Sequence, residues 1–197
     1  MTPGPPPYGH LFRRGQIPDG VPLSAPTPLQ LGATTNAPTQ GRAEAVLSWV
    51  YAFQNGDEDG LRALSTDGFE FDHHAGPHPM PLPTTIRLSR ALAEALPDLH
   101  IQVVEIEERE HGIRGLWRWQ GTQSEPLDLS FLGVPRIPAL GTNVDLPVDR
   151  VSWELEGTRV HRLHLHPSPR GGLGGLLGQL GIPFPLPDSS IRVADEG

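Results

Sequence analysis

The chain has 197 residues, of which 37% are hydrophobic and 19% charged, and a formal net charge of −8. It contains no Cys and no Lys, so all 15 basic residues are Arg; that excludes disulfides, Cys nucleophiles, Cys-bound metal centres, Schiff-base lysines and P-loop lysines. The acidic balance argues against a nucleic-acid partner, and no apolar run approaches the roughly 20 residues of a membrane span or forms a signal-peptide core, so the expectation is a soluble cytoplasmic protein with no membrane partner.

Residues 1–40 hold nine Pro and five Gly with no apolar period. Proline lacks a backbone donor and fixes φ, so this stretch reads as an extended or disordered arm. From Arg42 to Gln54, Val46, Trp49, Val50 and Phe53 fall at i, i+3, i+4, i+7, which predicts a helix ended by Asn55-Gly56. Asp57 is a good N-cap for a short second helix through Leu64. Phe69-Glu70-Phe71-Asp72-His73 alternates like a half-buried strand. A third helix is expected from Thr84 or Thr85, with Leu88, Ala91, Leu92, Ala95 and Leu96 as its stripe and Pro97 at its end.

After Pro97 the period changes to two. Leu99–Glu108 predicts a strand with Ile101 and Val103 on one side, and His111-Gly112 a turn. Ile113–Thr122 puts Ile113, Gly115, Trp117, Trp119 and Gly121 on one face. Residues 123–143 read as a long loop, Val144–Leu155 as one strand with a bulge near Pro147, and Arg159–His166 as the last strand. Gly171–Gly181 has leucines at helical spacing, but the glycines at 171, 172, 174, 175 and 178 weaken any helix there by ~1 kcal/mol each. The domain would then span 41–181, followed by a Pro-rich tail at 182–197. Helices first and antiparallel strands after predict an α+β fold with helices on one face of a curved sheet, and a pocket in its concave side.

Three groups carry candidate chemistry. Asp72, His73, His74 and the nearby His78 would make a carboxylate–imidazole acid/base pair; the alternative is a polar strand end and a solvated loop. Arg162, His164 and His166 share one face of the last strand, about 7 Å apart in succession. They line a pocket if that face looks inward, and face water if Leu163 and Leu165 do instead. Phe71, Trp117, Trp119 and Trp153, together with Phe69, suit an apolar ligand or ordinary core packing. No metal-ligand spacing motif is present, and Glu105, Glu107, Glu108 and Glu110 read as a solvated strand end.

Five landmarks resemble the SnoaL-like polyketide (ester) cyclases of the NTF2-like, cystatin-like cone superfamily. They are Phe71-Asp72-His73, Pro97-Asp98-Leu99, Trp117-Arg118-Trp119-Gln120-Gly121-Thr122, Phe131-Leu132-Gly133-Val134-Pro135 and Gly157-Thr158-Arg159-Val160, in family order across residues 42–181. The resemblance implies a cone with helices on the concave face of a mostly antiparallel sheet. It also implies a homodimer that takes a small hydrophobic molecule, and cofactor-independent acid/base chemistry of cyclase, isomerase or hydrolase type. It favours Asp72 and His73 over His74 and His78 as catalytic; if the polar face of the last strand looks inward, His164 or His166 is the candidate replacement for the missing carboxylate, and the residues themselves offer Phe71, Trp117, Trp119, Trp153 and Arg162 as substrate contacts. His164 stands where the family has a tryptophan, and Ser168 where it has its acid/base aspartate. A serine does not hold or release a proton near neutral pH. The alternatives are therefore a non-catalytic binding protein of the same fold and a dimerising module with the Pro-rich arm as a recognition segment.

Overall fold

The structure, a computed structural model, describes residues 37–73, 78–110 and 112–182, with side chains from residue 41 onward. The expected arm up to residue 36, the tail from 183, and His74 and His111 lie outside the described residues. Helix α1 runs Ala37–Gln54 and α2 Glu58–Leu64. As the sequence predicts, Asp57 caps α2, its carboxylate accepting from the Gly60 N–H at 2.9 Å. Strand β1 (Ser65–Asp72) and the two-residue β2 (Met80–Pro81) follow.

Helix α3 (Leu82–Ala95) starts ahead of the expected Thr84 or Thr85. Pro83 falls in its first turn, where a missing N–H costs nothing. Strands β3 (His100–Arg109) and β4 (Gly112–Gln123) form a hairpin. A 3₁₀ turn at Ser130–Leu132 precedes β5 (Thr142–Asp145), β6 (Asp149–Glu156), β7 (Arg159–His166) and α4 (Gly172–Gln179).

The strands form one sheet in the order β2-β1-β7-β6-β4-β3, with β5 also on β4. Among the described residues, only the β1–β7 pair is parallel. Where one bulged strand is expected over Val144–Leu155, the chain instead breaks at 146–148 into β5 and β6. Both pair with the long β4, at Gln120–Gln123 and Gly112–Trp117 respectively. Pro147 has no N–H to continue a ladder, and the break resets the side-chain parity so that Asp149, Val151, Trp153 and Leu155 are all buried.

A second parity change sits in β3. The register shifts between Val103 and Glu105, leaving Val104 unpaired and exposed. Before this bulge Ile101 and Val103 share the face of Trp119 and Trp117; after it Ile106 and Glu108 take over that face, opposite Gly115 and Ile113.

Helices α1 and α3 cover that face. Trp49 and Phe53 of α1 lie 5.7 Å from Phe69 and 5.9 Å from Trp119, centroid to centroid. The predicted α1 stripe of Val46, Trp49, Val50 and Phe53 is buried, as are Leu88, Leu92, Ala95 and Leu96 at α3.

Helix α4 forms despite its glycines. Its Leu173, Leu176 and Leu177, with Leu180 just beyond, are buried, and burying four leucines is worth roughly 6–12 kcal/mol against about 3 for the interior glycines. Gly175 is required by packing, since a Cβ there would run into the Arg170 carbonyl.

Candidate functional site

The concave face is built in rows by strand pairing. Glu108, Ile113, Trp153, Leu163 and Phe71 are successive partners across β3, β4, β6, β7 and β1. Two rows further along, Trp117 pairs with Val103 on one side and Asp149 on the other. The rings make a continuous chain: His73 to Phe71 at 5.7 Å, Phe71 to Phe53 at 6.5 Å, Phe53 to Trp119 at 5.9 Å, Trp119 to Trp117 at 5.5 Å and Trp117 to Trp153 at 6.2 Å. All of these residues are buried.

Among the described residues, four buried side-chain polar atoms have no hydrogen-bond partner within the protein: Nε1 of Trp117, Trp119 and Trp153, and Oε1 of Glu108. All four belong to concave-face residues, three donors and one acceptor. The remaining tryptophan, Trp49, by contrast donates to Ser65 Oγ at 3.0 Å. An unpaired buried polar group costs about 1–3 kcal/mol, so four on one face mark it as more than packing.

Glu108 is the residue that sequence reasoning missed. Strict alternation from Ile101 and Val103 places Glu105 and Glu107, not Glu108, on the inner side; the bulge at Val104 reverses this. The signal was the adjacent pair Val103-Val104 followed by Ile106, an apolar pattern that changes phase.

The expected acid/base residues divide between the two faces of the sheet, His73 on the inner side and Asp72, His164 and His166 together on the outer. His73 follows the inner parity of Phe69 and Phe71 and is buried against Phe71. Asp72 points to the opposite, outer face, where it meets β7. There Leu163 and Leu165 are buried, and Arg162, His164 and His166 share the outer side.

That outer face is an ion-pair ladder. Arg162 donates to Glu70 Oε2 from Nη2 at 2.6 Å and from Nε at 3.1 Å. His164 lies between two carboxylates, Nδ1 3.4 Å from Asp72 and Nε2 3.4 Å from Glu154. Its ring donates to both only as the imidazolium. His166 stacks on it at 6.4 Å. Of the expected substrate contacts, Phe71, Trp117, Trp119 and Trp153 lie on the inner face and Arg162 on the outer. Exposed His78 joins neither group.

Ser168 and the landmark Asp98 are fastening points. The Ser168 N–H and hydroxyl donate to Asp149 Oδ1 at 2.7 and 2.8 Å, and the Gly172 N–H donates to Oδ2 at 2.7 Å. This ties the start of α4 to β6. Asp149 is a buried inner-face carboxylate, but its oxygens are occupied by backbone and serine donors.

Asp98 accepts from the Thr122 N–H at 2.6 Å and from its hydroxyl at 2.9 Å. These bonds, the backbone one foremost, hold its carboxyl below the usual carboxylate value. A Cβ at Gly121 would press on Leu99 and Asp98, which is why glycine precedes that threonine.

Three depressions are lined wholly by described residues. One of about 540 Å³ lies on the outer face among Arg114, Arg150, Ser152, His166, Glu105 and Glu107. A second of the same size lies at the free end of the β3–β4 hairpin beside Glu154. A third, of about 440 Å³, lies between α3 and the loop at 126–136, where Arg87 covers the Phe131 ring at 4.3 Å. No group of three or more Asp, Glu or His among the described residues is placed to hold a metal ion. No described helix is long and apolar enough to cross a membrane.

No family model matches the sequence, and no curated protein matches it. Solved structures do match in fold. A protein from Jannaschia sp. CCS1 described as a SnoaL-like polyketide cyclase aligns with a TM-score of 0.55 at 20% identity, over 68% of this chain and 90% of that one. IdmH from Streptomyces antibioticus, described as a polyketide cyclase, aligns at 0.52 and 18%, over 75% and 100%. A protein from Catenulispora acidiphila described as having a ketosteroid isomerase-like fold aligns at 0.51 and 15%, over 71% and 94%. The chain therefore has the α+β cone fold of the SnoaL-like, NTF2-like proteins.

Proposed function

We propose that a chain with this fold binds a small, largely apolar molecule bearing hydrogen-bond acceptors on its aromatic concave face, as a SnoaL-like protein. The observation that carries this reading is the set of three adjacent indole N–H groups without a protein partner on that face, at Trp117, Trp119 and Trp153. Each buried donor gains when a ligand carbonyl or hydroxyl accepts from it, and the surrounding rings supply apolar contact. Fold alone does not fix function, so the reading rests on these side chains. The residues of the outer ladder, Asp72, His164, His166 and Arg162, are assigned to holding β1, β7 and β6 in register rather than to chemistry. In the same reading the protein is cytoplasmic and homodimeric, the dimer being checked by light scattering.

The test uses 1,8-dihydroxyanthraquinone, a flat apolar molecule with two carbonyl acceptors, titrated against tryptophan fluorescence. Saturable quenching is expected, with the affinity reduced roughly tenfold in W153F, which keeps a ring but removes the donor. H164N on the outer face should bind as the parent does. Quenching that never saturates, or W153F binding as tightly as the parent, would sink the reading.

A further inference from the structure

We propose that the depression on the outer face of the sheet is a second binding site, which takes a small phosphate monoester that also carries an ammonium group, an aminoalkyl phosphate. It lies on the opposite side of the sheet from the concave face and does not depend on how that face is read. Strand register builds it in two adjacent rows. In one, Glu107, Arg114 and Ser152 are successive partners across β3, β4 and β6. In the other, Glu105, Leu116, Arg150 and His166 follow one another across β3, β4, β6 and β7. Charge is therefore sorted across the floor. Carboxylates stand on β3 and guanidinium groups on β4 and β6, with half-buried Leu116 between Glu105 and Arg150.

Two arginines without partners carry the proposal. Arg162, Arg118 and Arg109, on the same side of the sheet, pair with Glu70, Asp145 and Glu107. Among the described residues, Arg114 and Arg150 make no ion pair and no side-chain hydrogen bond, and neither does Glu105. The register gives the reason. Glu107, directly across from Arg114, is taken by Arg109. Leu116 separates Arg150 from Glu105 by two strand spacings, ~10 Å between backbones. Arg114 and Arg150 are diagonal neighbours on adjacent strands, about 7–8 Å apart at the backbone, a spacing over which two long side chains reach one ligand group.

The number of donors selects the anion. A guanidinium presents a planar fork of N–H groups that a pair of oxygens fills. A carboxylate has oxygens enough for one fork. The three terminal oxygens of a phosphate monoester bridge both, with the Ser152 hydroxyl as a further donor on the wall. The glutamate selects the rest of the ligand. A bare anion is repelled by the unpaired charge of Glu105; an ammonium group on a short alkyl chain turns that repulsion into an ion pair, and Leu116 lies under the chain. The depression, about 540 Å³, has the size of a small-molecule site.

The test is calorimetric titration of the full-length protein at low salt, with phosphoethanolamine and, separately, with inorganic phosphate. Saturable binding of phosphoethanolamine is expected, weakened at least about tenfold in R114Q and in R150Q. R150K keeps the charge but loses the fork, and should lose affinity as R150Q does. E105Q should move the two probes in opposite directions, weaker for phosphoethanolamine and tighter for inorganic phosphate, a split that a structural role of Glu105 would not produce. R62Q on α2 removes the same charge elsewhere and should bind as the parent does. All four positions are exposed, so the substitutions leave the core intact.

Absence of saturable binding by phosphoethanolamine would overturn the site. Equal weakening by R62Q would overturn it too, by reducing the binding to overall charge. Glycerophosphoethanolamine, a diester with one terminal oxygen fewer, should bind at least about tenfold more weakly; equal affinity would overturn the monoester in favour of a lipid headgroup.

Discussion

Single residues divide here into those that hold the fold and those with atoms left over. Asp149 belongs to the first kind: its carboxylate gathers Ser168 and Gly172 onto β6. D149A would leave three donors unmet and is expected to lose about 3 kcal/mol or more in urea unfolding. S168A removes only one hydroxyl donor and should cost about 1 kcal/mol, without changing probe binding. Ser168 is thus a structural donor here.

Asp98 gives the clearest pH dependence. Its carboxyl titrates below the ordinary value of 3.8 because Thr122 donates twice to the charged form. A folded value below the unfolded one contributes stability above the unfolded value, and that stability is lost as pH falls through the folded value. D98N should therefore melt earlier than the parent at pH 7. The two melting curves should converge in acid below the folded carboxyl value; a gap that persists there would remove the carboxylate from the explanation.

At the scale of elements, the two phase changes decide what the sheet presents. Side chains alternate with a period of two, so a single unpaired residue moves everything after it to the other face. Deleting Val104 would return Glu105 and Glu107 to the side now occupied by Ile106 and Glu108. It would also drive Ile106 toward water. The expected outcome is loss of cooperative thermal unfolding rather than a modest shift.

Helix α4 makes the complementary point. Its glycines disfavour a helix, yet the turn that leads into it requires one of them. G175A would push a methyl group into the Arg170 carbonyl, and the destabilisation should be about 1–3 kcal/mol, opposite to the gain alanine gives in an unconstrained helix.

Over the whole molecule, the curved sheet separates two chemistries by a single layer of backbone. Among the described residues, inside are rings and four polar atoms without protein partners; outside is the ladder of Glu70, Arg162, Asp72, His164 and Glu154. Exposed pairs of this kind contribute about 0–1 kcal/mol each. E70Q is expected to lower stability within that range, with the difference shrinking at high salt, and to leave the concave site's probe affinity unaltered. A large, salt-independent loss would mean that the ladder carries more of the fold than its exposure suggests.

Much of this was legible in the residues themselves. The 3.6 period at Val46, Trp49, Val50 and Phe53 located α1, Asp57 marked the start of α2, and Arg159–His166 was read to its ends. The five landmarks pointed to the fold that the solved structures share. Local periodicity suffices for these because a helix stripe or a strand alternation is written within a few neighbouring positions.

The tertiary structure alone decided the sides. The alternation in β7 grouped Arg162, His164 and His166 together, but the choice between inside and outside depended on burying Leu163 and Leu165 beneath the helices. Adjacent Asp72 and His73 went to opposite faces, because successive residues of an extended chain point in opposite directions. Glu108 turned inward because β3 gains an unpaired residue at Val104 when it registers against β4. A strand's sequence records only relative parity; its absolute sign is set by its partner strands and by the layer that covers them.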